Sequence, residues 1–103
     1  MSNWCVYFIR CGKKDKDPVK IGMTGNINKR LVELQIANPY ELEVLFTLPC
    51  ESELHATKLE TFIHNQINSH YHFRGEWYDI RKINLPKIME KFNRMYGTMF
   101  GIK

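Results

Sequence analysis

The reading turns on residues 19–31, Val19-Lys20-Ile21-Gly22-Met23-Thr24-Gly25-Asn26-Ile27-Asn28-Lys29-Arg30-Leu31. Val19, Ile21 and Met23 alternate with Lys20, Gly22 and Thr24, the two-residue period of a half-buried strand. Gly22 and Gly25 then drop the Cβ where the backbone must turn or admit something close. Asn26 or Asn28 can cap the helix that follows, its side-chain oxygen accepting from a first-turn N–H. Ile27, Leu31 and Leu34 stand at i, i+4 and i+7 and make one apolar stripe. At ~100° per residue Arg30 falls inside the same arc. A guanidinium keeps its proton, so at the edge of a core it needs an anion or acceptors. Two readings stand: a structural ion pair or an arginine reaching for water, or an arginine held rigidly to face a phosphate.

Outward from this stretch, residues 4–10 read as a first strand, with Trp4, Val6 and Phe8 on one face and Cys5, Tyr7 and Ile9 on the other. Both faces are largely apolar, which predicts a central strand covered on both sides. A charged loop over 11–17 leads to Pro18 and the second strand. After a helix over 27–37, Asn38-Pro39 stops it, because a residue before proline avoids the helical region. Leu42, Val44, Phe46 and Leu48 predict a third strand. Residues 51–69 carry the longest helical pattern, with Ala56, Leu59, Phe62, Ile63 and Ile67 buried and Glu53, Thr57, Glu60 and His64 along one flank. Residues 68–75 read as a histidine-rich turn and 76–80 as a short closing strand. Asn84 and Pro86 open a last helix packed through Ile88, Phe92 and Met95. The expected fold is α/β (α+β), a small three-stranded, mostly antiparallel sheet flanked by helices, in the order β-β-α-β-α-(β)-α.

The 103 residues suit one domain spanning 1–103, with room for a single small core. Hydrophobic residues at 44% and charged residues at 25% exclude a disordered chain. The formal charge is +4, and Lys13, Lys14, Lys16, Lys20, Lys29 and Arg30 crowd the first third. That balance favours a polyanion partner. Three cysteines, Cys5, Cys11 and Cys50, without paired spacing fit reduced thiols better than a disulfide framework. The four histidines lack zinc-ligand spacing. No apolar run approaches the ~20 residues that cross a bilayer. The N-terminal run has no basic lead and no cleavage site, so a soluble, intracellular protein without a signal peptide is expected.

Tyr7 within Val6-Tyr7-Phe8, then Lys20-Ile21-Gly22, Arg30 on the next helix and Glu60 on a later one resemble the GIY-YIG nuclease superfamily. Glu60-x-x-x-His64 followed by Gly75-Glu76-Trp77-Tyr78 is similar to its small divergent single-domain branch in phages and large DNA viruses, a branch often described only as DNA-binding. The resemblance runs over residues 6–78. The first motif reads Val-Tyr-Phe where the family has Gly-Ile-Tyr, and Lys20 stands where the second motif has its tyrosine. The resemblance implies a metal-dependent DNA endonuclease of low sequence specificity, acting as a monomer or weak homodimer, with one divalent ion, Mg²⁺ or Mn²⁺. In that scheme Tyr7 takes the proton of the attacking water, Arg30 clamps the phosphate, Glu60 holds the metal and His64 positions a water or phosphate. A free phenol titrates near pH 10, so acting as a base at neutrality needs ~4 kcal/mol of help. Lys20, on the neighbouring strand, is the expected source. Gly22, Lys29 and Arg74 are substrate-binding candidates, with Arg81 a further backbone-phosphate contact. The alternatives are a catalytically inactive DNA-binding module of the same fold and a protein-interaction module whose charge is incidental.

Overall fold

The computed structural model describes residues 2–74 and 77–100, and for 68–74 the backbone alone. The chain order is β1 (Cys5–Cys11), β2 (Val19–Thr24), α1 (Ile27–Ile36), β3 (Leu42–Pro49), α2 (Glu53–Tyr71), β4 (His72–Arg74), β5 (Trp77–Tyr78) and α3 (Leu85–Tyr96). The strands form one sheet in the order β3-β1-β2-β5-β4, with every neighbouring pair antiparallel. β1 therefore sits between two long partners, as its two apolar faces require.

Alternation along β1 and β2 divides the apolar residues between two cores. Val6, Phe8, Val19 and Ile21 point to one face, where Ala56, Leu59, Ile63 and Ile67 of α2 and Ile88 and Phe92 of α3 cover them. Tyr7 and Ile9 point to the other, where Ile27, Leu31 and Leu34 of α1 pack. The two helices that carry the candidate residues, α1 and α2, thus lie on opposite faces of the sheet. Asn26 makes the N-cap of α1, its side chain accepting from the Lys29 N–H at 3.1 Å. Asn84 does the same for α3 with the Lys87 N–H at 3.1 Å, and Pro86 stands in the first turn.

Three expectations change. The sheet has five strands rather than three and a closing one, because α2 runs on to Tyr71 and the segment read as a turn pairs as β4 against β5. Histidine-rich and short, that segment shows no period by which sequence could declare it a strand. Met95 is exposed at 65% rather than packed. The buried arc of α3 runs through Leu85, Ile88, Met89, Phe92 and Tyr96, and its middle lies ~80° of helical rotation from Met95. Gly75 and Glu76 lie outside the described residues, as do the side chains of His70, His72 and Arg74. Among the described residues, no helix is long and apolar enough to cross a membrane. The three cysteines form no disulfide, and burial raises Cys5 and pushes the Cys50 thiol up to about 11.

Candidate functional site

The site gathers at the edge of β2. β5 pairs with Val19 and Lys20 only, so among the described residues the strand has no ladder partner on that side from Ile21 onward. On its other side Gly22 stands opposite Tyr7 of β1. Residues opposite one another in an antiparallel pair share a face, so the Tyr7 ring lies across Gly22. A Cβ at position 22 would fall 2.3 Å from the Tyr7 hydroxyl oxygen and 2.5 Å from the ring carbon bearing it. Gly22 is therefore the residue that lets Tyr7 lie flat along the strand.

The Tyr7 hydroxyl reaches α1. The Arg30 Nε–H donates to its oxygen at 3.3 Å, while Nη1 of Arg30 lies 3.9 Å from Glu33 one turn on. Tyr7 is 2% exposed, whereas the Arg30 side chain is 39% exposed. The guanidinium thus has one nitrogen against a buried oxygen and another near a carboxylate of the same helix.

Lys20 lies on the same sheet face, two residues before Gly22, opposite Ile9 on one side and Trp77 on the other. Its ammonium stands 5.7 Å from the centre of the Trp77 ring, within cation–π range. The cation in contact with the Tyr7 oxygen is Arg30; Lys20 faces the indole.

The opposite face contributes α2 residues to the same edge. His64 Nε2 is 3.0 Å from the Ile21 carbonyl oxygen, and Nδ1 is 2.6 Å from the Tyr78 hydroxyl. A carbonyl only accepts, so Nε2 carries the hydrogen; with the ring neutral, Nδ1 accepts from Tyr78. His64 thereby takes up the β2 carbonyl just beyond the reach of β5. Glu60, one turn earlier on α2, places a carboxylate oxygen 3.9 Å from Nε2 of His64, its side chain 25% exposed. The described contacts therefore run from Arg30 through Tyr7 to Gly22, and from Ile21 through His64 to Glu60, crossing the sheet at two adjacent residues.

The donor set at this edge is narrow. Among the described residues, no three His, Cys, Asp or Glu side chains come together to hold a metal. Both nitrogens of His64 are engaged, and Glu60 is the carboxylate that the described contacts bring to this edge. One carboxylate fits an oxygen-seeking ion such as Mg²⁺ or Mn²⁺, whose remaining positions go to water and substrate phosphate. It does not fit zinc, which takes three or four nitrogen, sulfur or carboxylate ligands.

Of the remaining expectations, Lys29 is exposed on the first turn of α1. Arg81 forks its guanidinium onto Asp79, with Nη2 2.7 Å and Nε 3.0 Å from the two carboxylate oxygens. Hydrogen bonds from Arg81 hold the Asp79 carboxyl down at about 2. The spacing Asp-x-Arg in a tight turn is the signal for that pairing. Sequence reasoning missed Tyr78, the partner of His64. Trp77 is half-buried and packs against the cluster of Tyr7, Ile9 and Leu42. Tyr78 follows it on the strand and so faces α2, and that alternation was the available clue.

The domain family described as T5orf172 domain matches residues 4–93, so the chain belongs to that family. No curated protein and no solved structure matches the chain. The matched region takes in every residue of the β2-edge site and most of α3.

Proposed function

We propose that this T5orf172-family chain is a divergent GIY-YIG-type nuclease domain, hydrolysing DNA phosphodiester bonds with low sequence specificity and one Mg²⁺ or Mn²⁺ ion. The observation that carries the reading is the Arg30 Nε–H donated to the Tyr7 hydroxyl oxygen at 3.3 Å, directly over Gly22. A cationic donor on the phenol oxygen favours the phenolate, the form of Tyr7 that can take a proton from water. The guanidinium of Arg30 then offers N–H donors to a non-bridging phosphate oxygen and relieves its charge as water adds to phosphorus. One P–O bond forms, the bond to the leaving oxygen breaks, and the proton of the water passes to the Tyr7 phenolate.

Glu60 is the residue that would hold the metal, which when bound supplies charge stabilisation to the leaving oxygen. His64, bonded through both nitrogens, ties α2 to the edge of β2 and so fixes Glu60 relative to Tyr7; its role in this scheme is positioning. Lys20 and Trp77 border the site and offer a cation and a ring face to the neighbouring nucleotide.

A second reading, DNA binding without cleavage, draws on the burial of Tyr7, 2% exposed, and on Lys20 at the second motif position. Incubation of supercoiled and branched DNA with Mg²⁺ or Mn²⁺ separates the two. The nuclease reading expects nicking that drops at least tenfold in Tyr7→Phe while DNA retention in gels is unchanged. Salt-sensitive binding with no nicking by the wild type would instead establish the binder. No binding to DNA or RNA at low salt would remove both.

A further inference from the structure

We propose that a lysine-lined groove between the C-terminal half of α2 and the first turns of α3 is a second nucleic-acid contact, gripping the phosphate backbone away from the β2 edge. The inference rests on the nucleic-acid reading above and extends it to a surface that reading does not use.

The groove is a cavity of about 250 Å³ lined by Gln66, Lys82, Asn84, Lys87 and Lys91 over a floor of Ile67 and Ile88. It continues along α3 into a second hollow that adds Glu90 and Arg94. Lys87, Lys91 and Arg94 recur at i, i+4 and i+7, so they form one stripe spanning ~10 Å of helix. Among the described residues the only acidic side chain lining either hollow is Glu90, and it is bonded to Arg94 at 2.8 Å. Lys82, Lys87 and Lys91 have no carboxylate within ion-pair distance among the described residues. Arg10 is compensated by Glu43 and Asp15, Lys13 by Glu41 and Arg81 by Asp79; Lys14, Lys16, Lys29 and Lys58 also lack a carboxylate at that distance, but do not line this groove. Like charges at i and i+4 repel on a helix, so the Lys87–Lys91 pair weakens α3 unless an anion lies between them.

The chemistry points to a polymer of phosphates. Ammonium groups are point charges without the fork that selects a carboxylate, and phosphate contacts made by lysine carry no sequence information. The amide side chains of Gln66 and Asn84 add polar contacts at the same rim. Gln66 lies some 160° around α2 from His64, so strand bound here runs on the far flank of α2 from the Tyr7 site. A nucleic acid that meets both surfaces wraps α2, and the groove then sets affinity while the β2 edge acts on the bond.

The test is the salt dependence of binding to a labelled 30-base-pair DNA duplex. Each lost phosphate contact lowers the slope of log affinity against log salt by ~0.9. Replacing Lys82, Lys87 and Lys91 with Gln should therefore flatten the slope by ~2.7, making the loss of affinity between 50 and 200 mM salt ~40-fold smaller. All three side chains are at the surface, and circular dichroism checks that the variant folds. A control carrying Lys13, Lys14 and Lys16 as Gln removes the same charge from the β1–β2 loop. A flattened slope in the first variant and a smaller change in the control support the groove. Equal changes in both, or a wild-type slope in the first, overturn it while leaving the nucleic-acid reading intact. A wild-type protein that binds no nucleic acid at low salt overturns both.

Discussion

Replacing Gly22 with Ala tests whether the site is built as described. The new methyl would start 2.3 Å from the Tyr7 oxygen and 2.5 Å from the carbon bearing it, both inside van der Waals contact. Tyr7 cannot retreat freely, since its ring is almost fully buried with Ile9, Leu42 and the α1 stripe around it. Either β1 and β2 separate locally or the ring swings off Gly22 and loses Arg30. Overpacking of this kind costs about 1–3 kcal/mol. For a domain of this size that lowers Tm by roughly 5–20 °C. Gly25→Ala is the internal control: its Cβ would meet the Trp4 ring at 3.2 Å, a contact that small adjustments relieve. Thermal unfolding followed by circular dichroism, run on both variants, reads the difference. The account expects Gly22→Ala to melt well below Gly25→Ala and to lose DNA cleavage even at temperatures where it remains folded. A Gly22→Ala protein that melts with the wild type would show that Tyr7 does not lie over Gly22, and the site would have to be rebuilt.

Two further outcomes follow from the described contacts. Tyr78→Phe removes the hydroxyl at 2.6 Å from Nδ1 of His64 and leaves that nitrogen unsatisfied, costing about 1–3 kcal/mol in chemical denaturation; no change would mean that His64 is not held as described. His55 is buried, stacks on Phe92 and Phe100, and accepts the Glu51 N–H through Nδ1 at 2.8 Å, and desolvation lowers its pKa below 6.5. With the folded value depressed, the unfolded chain takes up the proton first. Stability should fall as pH drops below about 6.5, and His55→Gln should flatten Tm between pH 7.5 and 5. An unchanged pH dependence in that variant would place the acid sensitivity elsewhere.

Much of the frame was legible because it rests on period and punctuation. The alternation in residues 19–24 and the apolar stripes of Ile27, Leu31, Leu34 and of Ala56, Leu59, Ile63, Ile67 each give one element its buried face. Asn26, Pro39 and Asn84 mark ends whose chemistry is local. The two-stranded extension by β4 and β5 was not legible as such, since two- and three-residue strands are made by their pairing partners and carry no period of their own. The juxtaposition of Tyr7 with Arg30 was legible only as far as both belong to one face. That Arg30, and not Lys20, touches the phenol depends on the seating of α1 over β1, which is a tertiary matter. The partnership of His64 with Tyr78 and the Ile21 carbonyl was hidden for a similar reason: it depends on where β5 stops pairing with β2. The cations of α3 were visible as a spacing, but the groove exists only once α2 lies beside them.

The central claim is that Glu60 supports metal-dependent cleavage from the far side of the β2 edge, and nicking of supercoiled plasmid by Glu60→Gln tests it most directly. The account predicts that the wild type nicks with Mg²⁺ or Mn²⁺ and not with chelator. The variant should stay folded, retain or strengthen metal-free DNA binding through the loss of a negative charge near phosphate, and cut at least a hundredfold more slowly. A Glu60→Gln protein that stays folded and nicks at the wild-type rate would contradict the claim and remove Glu60 from the site.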